Sequence, residues 1–193
     1  MASSKLNGLI HKSMPSPIAH AAMGYAIYRV VASKKPEKKQ PRIGRFPRLL
    51  IYTLAVSQLP DLDFVPGFLL PGEFDQFHNT ITNSLIVGLG IALMIGLGAR
   101  IWQRNDFWFM FMVALVCYQT HVIMDFFTVG RGVMLFWPLT PERFEPMFKL
   151  FYGLHRSDGW LSIRHIWTLV TELGFVLFLN LVVHTAVSRQ ALH

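Results

Sequence analysis

The chain has 193 residues and is strongly apolar, with 52% hydrophobic residues, 15% charged residues and a mean hydropathy of +0.39. Soluble domains carry about 25% charged residues, so this composition excludes an ordinary soluble domain and indicates a membrane protein. At this length we expect one membrane-embedded domain over residues 1–193.

The formal net charge of +7 comes largely from one basic stretch between the first two apolar segments. Within residues 33–48 the basic residues are Lys34, Lys35, Lys38, Lys39, Arg42, Arg45 and Arg48. Positive charge beside apolar segments marks the cytoplasmic side of membrane proteins, so residues 33–48 are predicted to form a cytoplasmic linker. Because no soluble nucleic-acid-binding motif accompanies this charge, we expect no nucleic-acid partner.

Five apolar segments follow one another along the chain, at residues 18–32, 49–59, 84–99, 107–124 and 166–187. The first two are short, whereas the last three approach the roughly 20 residues that cross a bilayer and are predicted to span it. Strand-like alternation is absent, and Gly88, Gly90, Gly96 and Gly98 have the small-residue spacing of closely packed membrane helices. The sequence therefore predicts an all-α integral membrane helical bundle of about five helices.

Histidine and aspartate residues lie at the ends of these apolar segments. If all five segments cross, one face of the membrane receives His20, Asp61, Asp63, His78, His121, Asp125 and also His165. That face is opposite the basic linker and is therefore predicted to be non-cytoplasmic. Ionisable groups near membrane depth are costly unless they are paired, hydrated or bound to metal, so the pattern predicts a polar metal site at one membrane face.

The residue types indicate which metal such a site would bind. His121 and Asp125 are four residues apart and share one helix face. Alone, this pair fits a His–Asp hydrogen bond between helix ends equally well, and it is the whole set that favours metal. Mixed imidazole and carboxylate ligands suit a divalent transition metal, with zinc expected first and manganese or iron as alternatives.

Several short motifs in order resemble a known family: SPIAHAAMGY, LPDLD, FHNTITNSL, HVIMDFFT and LFWPL. Over residues 16–139 the chain resembles the bacterial inner-membrane metal-dependent hydrolases, whose ligand order is similar to that of zinc-dependent phospholipase C. The resemblance implies a multi-pass protein of the bacterial inner membrane with metal-assisted hydrolytic activity.

The same resemblance implies a set of metal ligands: His20, Asp61 or Asp63, His78, His121 and Asp125. Asp125 would be the ligand best suited to bridge two ions. The chain departs from the family pattern at Asn83, where a second histidine is common. Asn83 can offer a carbonyl oxygen to a metal, or it can serve with Ser84 as the N-cap of the third apolar segment.

The leading hypothesis is a membrane-bound metal-dependent hydrolase that acts on a phosphoester or other ester of a lipid or membrane amphiphile. A metal-activated water would attack the ester. The general base would be Asp61 or Asp63, whichever is not a ligand, and His165 would be an extra ligand or a proton donor. Five basic residues on the same side could hold an anionic head group or form a solvated loop: Arg131, Arg143, Lys149, Arg156 and Arg164.

Two other interpretations stay open. The chain could be a non-catalytic membrane protein that binds metal or conducts ions or protons through the polar cluster. It could instead be a small interaction protein in which the cluster is only a hydrogen-bond network. Membrane lipid and a lipid-like substrate are the expected partners, and the sequence predicts no particular oligomeric state.

Overall fold

The computed structural model describes residues 13–14, 17–34, 48–64, 81–103, 106–130, 132–155, 163 and 165–190. Within these ranges the five α-helices are α1 (Pro17–Lys34), α2 (Arg48–Gln58), α3 (Leu85–Gln103), α4 (Phe107–Phe126) and α5 (His165–Gln190). A 3-10 helix (Leu59–Phe64) directly follows α2, and two-residue strands β1 (Ser13–Met14) and β2 (Leu154–His155) pair antiparallel. The predicted all-α bundle of about five helices is confirmed.

Three of these helices are long and apolar enough to span a membrane, over Leu85–Trp102 in α3, Phe107–Phe126 in α4 and His165–Ser188 in α5. They are the three that the sequence predicts as spans. Helix α2 has 11 residues, which rise only about 16 Å, or about half of the hydrocarbon core. Helices α1 and α2 therefore pack beside the three candidate spans but do not meet the length and hydropathy of a span themselves.

Helix α4 is the central helix of the bundle. Half of its candidate span is buried, against 22% for α3 and 17% for α5. The buried core around it includes Cys117, the single cysteine of the chain, together with Tyr118 and Val122. Since α3 and α5 keep most of their apolar surface exposed, that surface is what a bilayer would cover.

Side-chain hydrogen bonds hold the end of α4 against the start of α3. The Tyr118 hydroxyl donates to the Thr82 carbonyl at 2.8 Å, and the Gln119 amide donates to the Leu85 carbonyl at 2.7 Å. Ser84 caps α3, because its hydroxyl accepts a hydrogen bond from the backbone N–H of Ile86. The segment just before α3 is therefore fixed beside the last turns of α4.

The chain after α4 folds back over the same end of the bundle. The backbone N–H of Leu85 donates to the carbonyl of Leu135 at 2.9 Å, and the Ser84 hydroxyl donates to the carbonyl of Trp137 at 2.6 Å. Further along, the Thr168 hydroxyl of α5 donates to the Gly153 carbonyl at 2.5 Å. Residues 132–155 thus tie α3, α4 and α5 together at one end.

Helix α1 packs closely against α2 because Gly24 has no side chain. A Cβ added at Gly24 would lie 2.5 Å from Ser57 Oγ and 2.9 Å from the Thr53 carbonyl oxygen. The helices run antiparallel, and the Gln58 amide at the end of α2 donates to the Pro17 carbonyl at the start of α1 at 2.7 Å. This contact sets how near the first turn of α1 comes to the end of α2.

We predict that Gly24→Ala destabilises the protein by about 1–3 kcal/mol, because the new methyl group clashes with the backbone of α2. Gly90→Ala is the matched control, since an added Cβ at Gly90 meets nothing within 4 Å. Alanine favours the helix interior over glycine by about 0.5–1 kcal/mol, so the control should be unchanged or slightly stabilised. Thermal unfolding in detergent, followed by circular dichroism, compares the two; equal melting temperatures would contradict the close approach.

Candidate metal centre

The turn that carries Asp61 begins where α2 must end. Pro60 disfavours α-helical backbone at Leu59, and the chain continues as the tighter 3-10 helix Leu59–Phe64. This turn brings Asp61 Oδ1 to 3.4 Å from Nε2 of His121, with 14% of the Asp61 side chain exposed. Asp61 is therefore the least buried member of a cluster whose other side chains are almost fully buried.

His121 and Asp125 project from the last turns of α4, as their four-residue spacing predicts. His121 Nε2 lies 3.5 Å from Asp125 Oδ2, and both side chains are almost fully buried. The second contact of Asp125 Oδ2 comes from the start of α3, where the Asn83 amide nitrogen donates to it at 2.8 Å. Since Ser84 provides the cap of α3, the Asn83 side chain can serve Asp125 instead.

His20, in the first turn of α1, closes the cluster from the opposite side. Its ring stacks on the ring of His121, with 3.6 Å between the centroids and 16° between the planes. Its Nε2 lies 3.2 Å from Asp125 Oδ1, although this contact lacks hydrogen-bond geometry. Four residues from two α-helices and the 3-10 turn therefore meet: His20, Asp61, His121 and Asp125.

A backbone contact determines where the proton of His121 resides. His121 Nδ1 lies 2.6 Å from the carbonyl oxygen of Ser57. Because a carbonyl oxygen can only accept, Nδ1 carries the hydrogen and donates it. In the neutral ring Nε2 then holds a lone pair, and this lone pair faces carboxylate oxygens of Asp61 and Asp125. Three electron-rich atoms that converge in a buried place require a cation or an added proton between them.

The buried polar atoms fit a metal ion in that place. Within the part of the chain that the structure describes, both ring nitrogens of His20, His121 Nε2 and Asp125 Oδ1 are buried without a hydrogen-bond partner. One ligand atom each from His20, Asp61 and His121 lie within 4.8 Å of one another. Zinc ligands at about 2.0–2.2 Å from the ion would lie about 3–4 Å apart, so a small shift brings these three into range.

Asp63 lies two residues after Asp61 in the same 3-10 helix. It is buried, and its Oδ2 accepts a hydrogen bond from the Thr82 hydroxyl at 2.8 Å. The group of three that could share an ion contains Asp61 rather than Asp63. The sequence leaves open which of the two aspartates is the ligand, and this geometry favours Asp61.

The other residues that the sequence predicts for the site do not belong to this cluster in the described part of the structure. His78 lies outside the described residues, as do Arg131, Arg156 and Arg164. His165 is the first residue of α5, and its role stays a prediction. Arg143 donates to the Gly132 carbonyl at 3.0 Å, and Lys149 pairs with Glu145 at 3.3 Å, so both cations bond within their own loop.

Two contacts of the cluster have no clear signal in the sequence. Every residue has a backbone carbonyl, so nothing marks that of Ser57 as the partner of His121. Asn83 stands out only as a departure from the family pattern, and the structure has its amide nitrogen, rather than its oxygen, directed at Asp125.

Comparison with known proteins gives one match. A family model described as YdjM inner membrane protein matches residues 14–191, which include all five helices from end to end. Searches of curated proteins and of solved structures found no match. The inner-membrane part of the resemblance is supported, whereas similarity to metal-dependent hydrolases or to phospholipase C stays a prediction.

We predict that the purified protein binds Zn²⁺ and that His121→Ala lowers its affinity by more than about tenfold, since even residues that only support a ligand contribute 10–100-fold. Asp125→Asn, which keeps the shape but removes the charge, should weaken binding in the same direction. His184→Ala is the matched control, because His184 is exposed near the far end of α5. Metal analysis and calorimetric titration measure the effect; equal Zn²⁺ binding by all variants would place the ion outside the cluster.

Proposed function

This chain belongs to the YdjM inner membrane protein family, and we propose that it is a membrane-embedded metal-dependent hydrolase. Its substrate is a phosphoester or other ester of a lipid or membrane amphiphile. The observation that carries the proposal is the buried convergence of His20, Asp61 and His121 beside Asp125, in a bundle that contains three candidate spans.

A bound divalent ion, with zinc preferred for this donor set and manganese or iron as alternatives, supplies Lewis acidity and a nucleophilic hydroxide near neutral pH. His20, Asp61 and His121 would hold it, while Asp125 contributes a buried charge that Asn83 orients. Asp61 is the least buried member of the group, with 14% of its side chain exposed, so substrate and water would approach from its side. Asp63 is the general base in this proposal, and the Thr82 hydroxyl orients its carboxylate.

A second candidate function is non-catalytic metal binding or ion conduction. The observation in its favour is Asn83, which stands where the hydrolase pattern commonly has a histidine and which directs a hydrogen-bond donor at Asp125. A donor there supports the carboxylate but adds no ligand for a second ion. Under this alternative the cluster holds metal without ester cleavage.

We predict that the metal-loaded protein in lipid hydrolyses a phosphoester or other lipid ester, and that two neighbouring variants separate the roles of the aspartates. Asp61→Asn should lower both metal content and hydrolysis. Asp63→Asn should keep the metal and lower the turnover by about 10²–10⁴-fold, the usual contribution of a general base. Glu142→Gln is the control, an exposed carboxylate outside the cluster. Stoichiometric metal without activity on a broad panel of lipid esters would favour the second candidate.

We also propose that the centre faces the non-cytoplasmic side of the inner membrane. Lys34 ends α1, Arg48 begins α2 and Arg100 lies in the last turn of α3, all at the end of the bundle opposite His121. Positive charge favours the cytoplasmic side, which leaves the cluster on the other.

Cysteine labelling tests this orientation, because Cys117 is the single cysteine and is buried. In a Cys117→Ala background, Leu139→Cys introduces a thiol at an 81% exposed position in the segment after α4, and Lys34→Cys introduces one at the basic end. A membrane-impermeant maleimide should label Leu139→Cys in spheroplasts and Lys34→Cys only after permeabilisation. The reverse pattern would place the cluster on the cytoplasmic side.

A further inference from the structure

An apolar groove lies between α1, α4 and α5, beside the metal centre but separate from it. Its volume is about 440 Å³, within the roughly 300–1,000 Å³ that small-molecule sites occupy. Aliphatic and methionine side chains line it, with almost no polar surface. A water molecule needs polar partners to stay in a cavity, so this groove is suited to hydrocarbon.

The groove has a closed floor and an open side. Ala26, Val113 and Val183 form the floor, each 6% exposed. Along the rim, Met112, Val116 and Val182 are 48%, 47% and 44% exposed. Since α4 and α5 are candidate spans, this open side is continuous with the surface that the bilayer covers. Lipid chains are therefore the material that reaches the rim.

The groove runs along α1 in the direction in which a lipid tail would extend from a head group at the cluster. Met23 lines its near end and comes three residues after His20, about 4.5 Å of helix rise. Val31 lines its far end, about 12 Å further along the helix. On α4, Val116 and Met112 lie five and nine residues before His121, so both walls extend away from the centre towards the basic end.

We propose that this groove binds one acyl chain of a lipid whose anionic head group lies at the metal centre. The proposal rests on the proposed function and narrows its substrate class from any membrane amphiphile to one with a hydrocarbon chain. Bulk lipid is as apolar as the groove, so the hydrophobic effect gives no preference there. The selectivity comes from the close contacts that a chain makes with the floor and from the head group held at the cluster.

Two photoactivatable phospholipids test both ends of the bound molecule, in phosphatidylethanolamine and phosphatidylglycerol vesicles. One carries a diazirine at the end of an acyl chain, and the other carries it next to the head group. Adducts of the first should be enriched about threefold on the groove walls over the outward face of α3, a modest factor because every apolar surface contacts lipid. Adducts of the second should fall on the first turn of α1 and the 3-10 helix.

Substitutions at the rim provide the matched variants. Val116→Trp and Val182→Trp place a large ring in the groove from opposite walls, at positions exposed enough to accept it without disturbing the core. Both should remove the enrichment of the tail probe. Leu93→Trp is the control, because Leu93 is 44% exposed on α3 and does not line the groove.

Each outcome is decisive. Uniform labelling, or enrichment that survives both rim substitutions, would overturn the groove as a chain site. Head-group adducts at Lys34 or Arg48 would show that the lipid lies in the opposite direction, with its head group at the basic end, and would overturn its link to the metal centre. A dimer in detergent, measured by size-exclusion chromatography, that Val116→Trp converts to a monomer would assign the groove to a second copy of the chain. The expected labelling without hydrolysis of any ester would support the bound lipid and reject the proposed function.

Discussion

The polar cluster depends first on the contact between His121 and the Ser57 carbonyl. This contact fixes the hydrogen of the ring on Nδ1, so Nε2 turns an electron pair towards Asp61 and Asp125 in a buried place. Acceptors that face one another away from water repel, and such an arrangement is stable only with positive charge between them. The site therefore suits a metal ion or an added proton, and the group that orients it is a backbone carbonyl with no net charge of its own.

The bundle is arranged so that four helix ends meet at this point. Helix α4 supplies His121 and Asp125 from its last turns, and as the most buried helix it holds them in a fixed position. The other contributors are close to element ends, where the chain can turn: His20 in the first turn of α1, Asp61 in the turn after α2, and Asn83 just before α3. Close packing at Gly24 allows α1 to approach α2 and carries His20 to the ring of His121.

Polar and apolar sites lie side by side on the same helices. The cluster occupies the space between α1, α2 and α4, and the groove occupies the space between α1, α4 and α5. An amphiphile has the same division, with a charged head that needs a cation and a chain that needs apolar contacts. A water-soluble ester would use only the first of these, which is why the groove favours a lipid as the substrate of the proposed reaction.

The sequence by itself determined the membrane character and the positions of the three candidate spans to within a few residues. These depend on composition and on apolar runs, which act over short stretches of chain. It also placed His20, Asp61, His121 and Asp125 at segment ends that could meet. The tertiary structure decided which atoms approach one another: Asp61 rather than Asp63 beside His121, Asn83 on Asp125, and Ser57 on the ring. Those choices depend on the distance and rotation between packed helices, which small residues such as Gly24 set, and on a backbone carbonyl that every residue possesses.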